Sequence, residues 1–184
     1  MPFGSQFPVS EMVLPTFSSL AMGCMGTLLL ISGGSKLLSH NDLLGTIAAY
    51  RILPRSTSFA GYDVVAWTLT IAEMLLGAGL LLGLSFAAWA SVGLFLIFAL
   101  AIGINVLRGR TQFDCGCSVG GGVTRVSGAV LARALYLAVL AAVVGGVAVP
   151  GGGLPVVRAG GVVGWLLFVA VRHLRHSGFV GETV

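Results

Sequence analysis

Two cysteines separated by one glycine are the residues of this sequence best suited to chemistry. Cys115 and Cys117 come shortly after Arg108 and Arg110 and just before three consecutive glycines. A thiol is a nucleophile only as the thiolate, which nearby cations favour and which the carboxylate of Asp114 would oppose. A disulfide closed over one residue makes a small ring that we expect to be strained, and strained, exposed disulfides are the labile ones. The pattern favours thiol–disulfide redox chemistry over two reduced cysteines that fill a turn.

Two further residues that could do chemistry, Glu73 and Cys24, stand inside apolar stretches. Glu73 lies in the segment TIAEMLLGAG, and a carboxylate at that depth is costly unless it faces other helices and is paired or protonated. We expect its nearest polar neighbour to be Lys36, Tyr50 or Asn105, and we favour an interhelical clamp over a proton-transfer role. Cys24 lies in the first apolar stretch, where a small packing residue is favoured over a third redox thiol.

The sequence predicts no metal and no cofactor. His40, His173 and His176 could join the cysteines as ligands, but their spacing forms no recognisable metal-binding motif. Nothing in the sequence indicates a site for haem, flavin or nucleotide. A quinone pocket would leave no sequence signature, so binding of a quinone stays open.

The chain around these residues is too apolar for a soluble domain. It has 184 residues, of which 57% are hydrophobic and 9% are charged, whereas about 25% are charged in an ordinary soluble domain. Its apolar runs have roughly the 20-residue length that spans a bilayer. We predict an all-α membrane protein forming one domain over residues 1–184, a bundle of about five transmembrane helices with a short interfacial helix between the first two. The predicted spans are 14–38, 62–84, 86–107, 129–149 and 156–171.

The interfacial helix is predicted within the polar stretch 39–61. Asp42 stands where a helix N-cap would lie, Leu43, Ile47 and Tyr50 recur at helical spacing, and Pro54 should end the helix. Such an amphipathic segment is expected to lie in the membrane surface.

Glycine is abundant, at 28 residues. Two pairs, Gly79 with Gly83 and Gly160 with Gly164, have the spacing that permits close helix packing. In a chain this rich in glycine, the spacing alone carries little weight.

The basic residues predict the orientation. With five spans, nine of the ten Lys and Arg residues lie on one side, and only Arg158 lies on the other. The nine are Lys36, Arg51, Arg55, Arg108, Arg110, Arg125, Arg133, Arg172 and Arg175. Basic loops stay in the cytoplasm, so we predict a multi-pass protein of the bacterial inner membrane with a periplasmic N-terminus and a cytoplasmic C-terminus.

Several of these segments occur together in one known family. They are 33–36 at the end of the first span, 50–54 in the first loop, Ala72-Glu73 followed by Gly77 in the second span, and 105–117 with its arginines and cysteines. In this order and spacing, the sequence resembles the MauE family, membrane proteins of methylamine utilisation that belong with the DoxX-like membrane proteins. The resemblance covers most of the chain.

The resemblance implies a maturation factor for methylamine dehydrogenase. Such a protein would assist processing, export or disulfide formation of the small subunit, which carries a tryptophan-derived quinone. It would lie in the lipid bilayer and act beside a thioredoxin-like partner, MauD. No nucleic-acid partner is expected. Thiol–disulfide exchange with that partner would make Cys115 and Cys117 the catalytic residues.

Two rival functions and one conflict stay open. The protein could be a non-catalytic scaffold for the maturation machinery or, ranked last, a small-solute transporter, which would need a polar pathway. The charge rule also places Cys115 and Cys117 on the cytoplasmic side, whereas the client works in the periplasm. Either thiol equivalents cross the membrane, or the cysteine loop folds back into the bundle, or the orientation is inverted.

Overall fold

The structure is a computed structural model that describes residues 9–54, 56–112, 125–147 and 154–179. These residues form six helices and no sheet, so the predicted all-α fold is confirmed. The helices are α1 (Val9–Leu38), α2 (His40–Tyr50), α3 (Phe59–Leu81), α4 (Ser85–Leu107), α5 (Gly128–Gly146) and α6 (Leu154–Phe179). All except α2 are long and apolar enough to cross a membrane.

The outer surface of the bundle is apolar. Large side chains such as Leu75, Ile97, Leu100 and Leu166 are at least half exposed, and Leu96 is nearly so. A soluble protein of this size could not leave so many contiguous apolar groups in water. Together with the length of the helices, this surface makes the chain a multi-pass membrane protein whose exposed side chains face lipid.

Helix α1 lies at the centre of the bundle and packs most extensively against α6 and α3, while α4 packs against α5. Glycines on both helices allow the close contact of α1 with α6. A Cβ atom placed on Gly23 would collide with the carbonyl oxygen of Val157, and one on Gly160 with that of Leu20. Since apolar side chains gain little from leaving lipid, such close backbone approach is a main source of helix association in membranes.

The glycine pairs predicted from spacing prove to have different roles. Gly160 and Gly164 both face α1, and a Cβ atom on Gly164 would lie 3.1 Å from the Cα atom of Cys24. Gly79 instead packs on Ala87 of α4. Gly83 lies outside the helices, in the tight turn from α3 to α4, where its φ of 74° is a conformation that glycine adopts without strain.

The short helix α2 follows α1 almost without a break and packs on α3. Leu43 is its buried residue, in agreement with the apolar spacing seen in the sequence. The helix ends at Tyr50, and the φ of 47° and ψ of 40° of its C-cap residue, Arg51, lie in the left-handed region. Asp42 lies in the first turn of α2, and the residue before the helix is Ser39, three positions earlier than the predicted N-cap.

Candidate functional site

A salt bridge inside the bundle joins α1 to α3. The Nζ atom of Lys36 contacts Oε1 of Glu73, and the two residues are 6% and 1% exposed. The prediction that Glu73 faces other helices and has Lys36, Tyr50 or Asn105 as its polar neighbour is therefore confirmed, with Lys36 as that neighbour. The lysine reaches inward from the last turn of α1, and Glu73 lies past the middle of α3.

The ammonium group of Lys36 has two further contacts. It lies 3.4 Å from the hydroxyl oxygen of Ser32, one turn earlier on α1, and 5.2 Å from the centre of the Phe98 ring of α4. The electron-rich face of an aromatic ring attracts a cation at this distance. Lys36 thus connects three helices by one charge–charge, one hydrogen-bonding and one cation–π interaction, as an interhelical clamp would.

The carboxylate of Glu73 keeps one oxygen without a donor. Among the side chains and backbone that the structure describes, nothing hydrogen-bonds its Oε2 atom. An unsatisfied carboxylate oxygen in a dry interior is costly, and it is a position that can accept a proton or a donor from a bound molecule. The pair is therefore a clamp that leaves one buried carboxylate oxygen without a donor among the described residues.

Asn105 is a second buried polar residue, on α4. It is fully buried, and its Nδ2 group donates to the backbone oxygen of Ala101 at 3.0 Å on its own helix. Its Oδ1 atom accepts no hydrogen bond from any described residue. The hydrogen bond that Asn105 donates is therefore made within α4. The polar neighbour of Glu73 is Lys36.

Cys24 lies where α1 meets α6. Its thiol donates to the backbone oxygen of Gly160 at 3.1 Å, and it forms no disulfide with any described residue. A small, half-buried side chain at a close helix contact fits the packing role favoured from the sequence.

The end of α4 leads into the cysteine segment. Leu107 is its last residue, Arg108 is the C-cap, and Gly109 has a φ of 66°. The backbone N–H of Arg110 then donates to the oxygen of Asn105 at 2.9 Å, which closes the helix end. Residues 113–124, with Asp114, Cys115 and Cys117, lie outside the described residues, so redox chemistry at this pair stays a prediction.

One polar cluster was not predicted from the sequence. The Nε2 atom of His40 lies 2.7 Å from Oδ1 of Asp63, a hydrogen bond in which the ring N–H donates to the carboxylate. The His40 ring also packs on Trp67, with 5.0 Å between ring centroids. The sequence indicated His40 only as a possible metal ligand, because no spacing rule connects the start of α2 with the first turns of α3.

The fold and these contacts define a polytopic all-α membrane protein with a charged clamp in its interior. Comparison with known proteins gives the family: the model of "Methylamine utilisation protein MauE" matches residues 14–148. The chain belongs to the MauE family, as the resemblance in the sequence predicted.

Curated members of this family are similar over much of the chain. MauE of Paracoccus versutus is 40% identical over 129 residues, which cover 69% of this chain and 64% of the relative. MauE of Paracoccus denitrificans is 41% identical over 110 residues, covering 58% of this chain and 56% of the relative. The matched part of this chain therefore spans only 56% to 64% of the length of these two relatives. No solved structure matches the chain.

Proposed function

We propose that this chain is a membrane maturation factor for methylamine dehydrogenase, assisting processing, export or disulfide formation of the small, quinone-bearing subunit. Membership of a family whose members are named for methylamine utilisation supports that setting. The apolar helices support action within a membrane. The observation that carries the redox part of the proposal is the Cys115-Gly116-Cys117 sequence, which begins five residues after Arg110.

The proposed chemistry is exchange with a thioredoxin-like partner of the MauD type. In each exchange, a thiolate of one protein attacks the disulfide of the other and forms a mixed disulfide, which the second thiol of the attacking pair resolves. One pair loses two electrons and two protons to become a disulfide, and the other gains them to become a dithiol. Arg108 and Arg110 stand close enough in sequence to favour the thiolate.

Serine substitution of the two cysteines tests the redox mechanism. We expect Cys115→Ser and Cys117→Ser each to abolish the yield of active methylamine dehydrogenase, because exchange needs one thiol to attack and one to resolve. One of the two single variants should also accumulate a mixed disulfide with its partner. The measurement is alkylation trapping in cells, together with the dehydrogenase yield.

Cys24→Ser is the matched control, since its thiol lies at the α1–α6 contact, and we expect it to keep the normal yield. All variants must be inserted and present at wild-type abundance. A normal yield from the double variant at Cys115 and Cys117 would remove the redox mechanism, and the protein would then be a scaffold of the maturation machinery.

The same proposal includes a bacterial inner-membrane location with the N-terminus in the periplasm and the C-terminus in the cytoplasm. Because Lys36 points into the bundle and is neutralised by Glu73, it cannot contribute to the charge of a loop. Eight basic residues then remain on one side of the five spans against Arg158 on the other. The orientation rule counts charges near span ends, so the proposed orientation survives this correction.

Reporter fusions test the orientation. We expect a fusion after Arg175 to be active as a cytoplasmic reporter, and a fusion within 148–153, between α5 and α6, to be active as a periplasmic one. The second fusion is the control for the first, since one helix separates them. A periplasmic signal after Arg175 would invert the orientation and would place the cysteine loop on the side where the client works.

A further inference from the structure

Two cavities lie side by side where α2 and α4 end and α3 begins. The larger, of about 590 Å³, is lined by Ala48, Arg51, Leu53, Tyr62, Arg108 and Arg110. The smaller, of about 200 Å³, is lined by side chains of α1 to α4 and of the loop after α2. Leu53 lines both. A molecule bound in one cavity would therefore lie against the other.

The larger cavity is strongly basic. Three of its six lining residues are arginines, and no carboxylate lines it among the residues that the structure describes. Arg51 has a left-handed backbone conformation at the end of α2, which glycine would adopt with less conformational strain. The chain thus accepts local strain at a residue whose side chain lines the basic cavity. A guanidinium group offers paired N–H donors that match the oxygens of a phosphate.

The smaller cavity is almost entirely apolar. Its walls include Leu43 and Ile47 of α2 and Phe98 and Ile102 of α4. Lys36 also contributes to the lining, but its charge is already matched by Glu73. This cavity therefore fits an uncharged hydrocarbon group, and it lies beside the basic cavity at one end of the membrane-spanning helices.

We propose that the two cavities together bind one anionic phospholipid. Its phosphate lies among the arginines, and the first part of an acyl chain lies along Phe98 and Ile102. Basic pockets between transmembrane helices are suited to anionic headgroups, which the surrounding leaflet supplies at high local concentration. A soluble anion would use only the arginines and would leave the adjoining apolar cavity unfilled. The proposal goes beyond the maturation function. It shares Arg108 and Arg110 with the proposed redox chemistry, but lipid binding requires neither cysteine.

Lipid titration of the purified full chain tests the site. The chain in nonionic detergent is titrated with phosphatidylglycerol and, separately, with phosphatidylcholine, and bound lipid is counted by native mass spectrometry. We expect one phosphatidylglycerol to bind in clear preference to phosphatidylcholine. In the double variant Arg51→Gln and Arg108→Gln, affinity for phosphatidylglycerol should fall by about 25-fold, from about fivefold for each arginine. Affinity for phosphatidylcholine should be unchanged.

The matched control removes the same charge elsewhere. Arg133→Gln with Arg158→Gln changes two exposed arginines that line neither cavity, and it should leave the preference intact. Ala101→Trp keeps every arginine but fills the apolar cavity that Ala101 lines. This substitution should lower the affinity for phosphatidylglycerol by about tenfold, which corresponds to the loss of roughly two buried methylene groups.

Three results would overturn the proposal. Equal losses in the control and in the Arg51/Arg108 variant would show diffuse surface charge instead of a site. Displacement of the lipid by millimolar glycerol 3-phosphate would show a site for a free anion. A folded Ala101→Trp chain with wild-type lipid affinity would show that no acyl chain occupies the apolar cavity. If Ala101→Trp does not fold, the arginine variants decide the question, since their side chains lie at the exposed helix ends.

Discussion

Glu73→Gln should lower the free energy of unfolding by about 3–5 kcal/mol, the usual cost of removing one partner from a buried ion pair. The substitution keeps the shape of the side chain but leaves the ammonium group of Lys36 buried without its counter-charge. The remaining contacts, Ser32 at 3.4 Å and the Phe98 ring at 5.2 Å, carry no negative charge. Lipid around the bundle offers no water to compensate.

The measurement is unfolding of the purified protein in mixed micelles of mild detergent and dodecyl sulfate. Asp63→Asn is the matched control, because it removes the carboxylate of the pair with His40, where the Asp63 side chain is 41% exposed. There we expect a loss below about 1 kcal/mol. The double variant Lys36→Met with Glu73→Leu should recover most of the stability, since an apolar pair of similar volume avoids the cost of burying two charges.

Equal losses from Glu73→Gln and Asp63→Asn would contradict the assignment of the pair as an interior clamp. The double variant also separates two roles. Stability recovered together with normal dehydrogenase yield would show a structural clamp. Stability recovered with the yield lost would show that the charges themselves, including the oxygen of Glu73 that lacks a donor, take part in function.

Gly160→Leu should disrupt the packing of α6 on α1 and lower the free energy of unfolding by about 3 kcal/mol, the upper end of the usual range for overpacking. A Cβ atom at this position would collide with the backbone of Leu20. The backbone of a continuous helix cannot move locally to relieve a collision, as a flexible side chain can. The two helices must therefore move apart. Gly23→Leu, which would collide with the backbone of Val157 from the other side, should have a similar effect.

Gly34→Ala and Gly93→Ala are the controls for the glycine variants. Nothing approaches within 4 Å of a Cβ atom at either position, although both are helical. Alanine favours a helix over glycine by up to about 1 kcal/mol, so these variants should be as stable as the wild type or slightly more stable. The same unfolding assay reports all four. Wild-type stability of Gly160→Leu would show that α6 does not depend on close contact with α1.

Much of this protein follows from its sequence because membrane insertion imposes simple local rules. Five long apolar stretches predict five long helices, since lipid forces the backbone to satisfy its hydrogen bonds within each span. A carboxylate within such a stretch, as at Glu73, predicts a polar partner in the bundle, since the alternative is an ion in hydrocarbon. Both predictions agree with the structure. The family could be predicted as well, because its motifs are carried by residue identity and spacing along the chain.

The partner that each residue meets depends on how the helices pack against one another, which the sequence does not show. Lys36, Tyr50 and Asn105 were equal candidates for Glu73 by sequence, and the contact of α1 with α3 selects Lys36. Equal spacing did not distinguish Gly160, which faces α1, from Gly83, which forms a turn. The pairing of His40 with Asp63 and the two cavities beside Arg51 likewise join residues of different helices. The spacing of residues along the chain indicates which of them share one face of a helix. Their partners on other helices depend on how each helix is rotated and how closely two helices approach, and both are determined by small residues and interior charges.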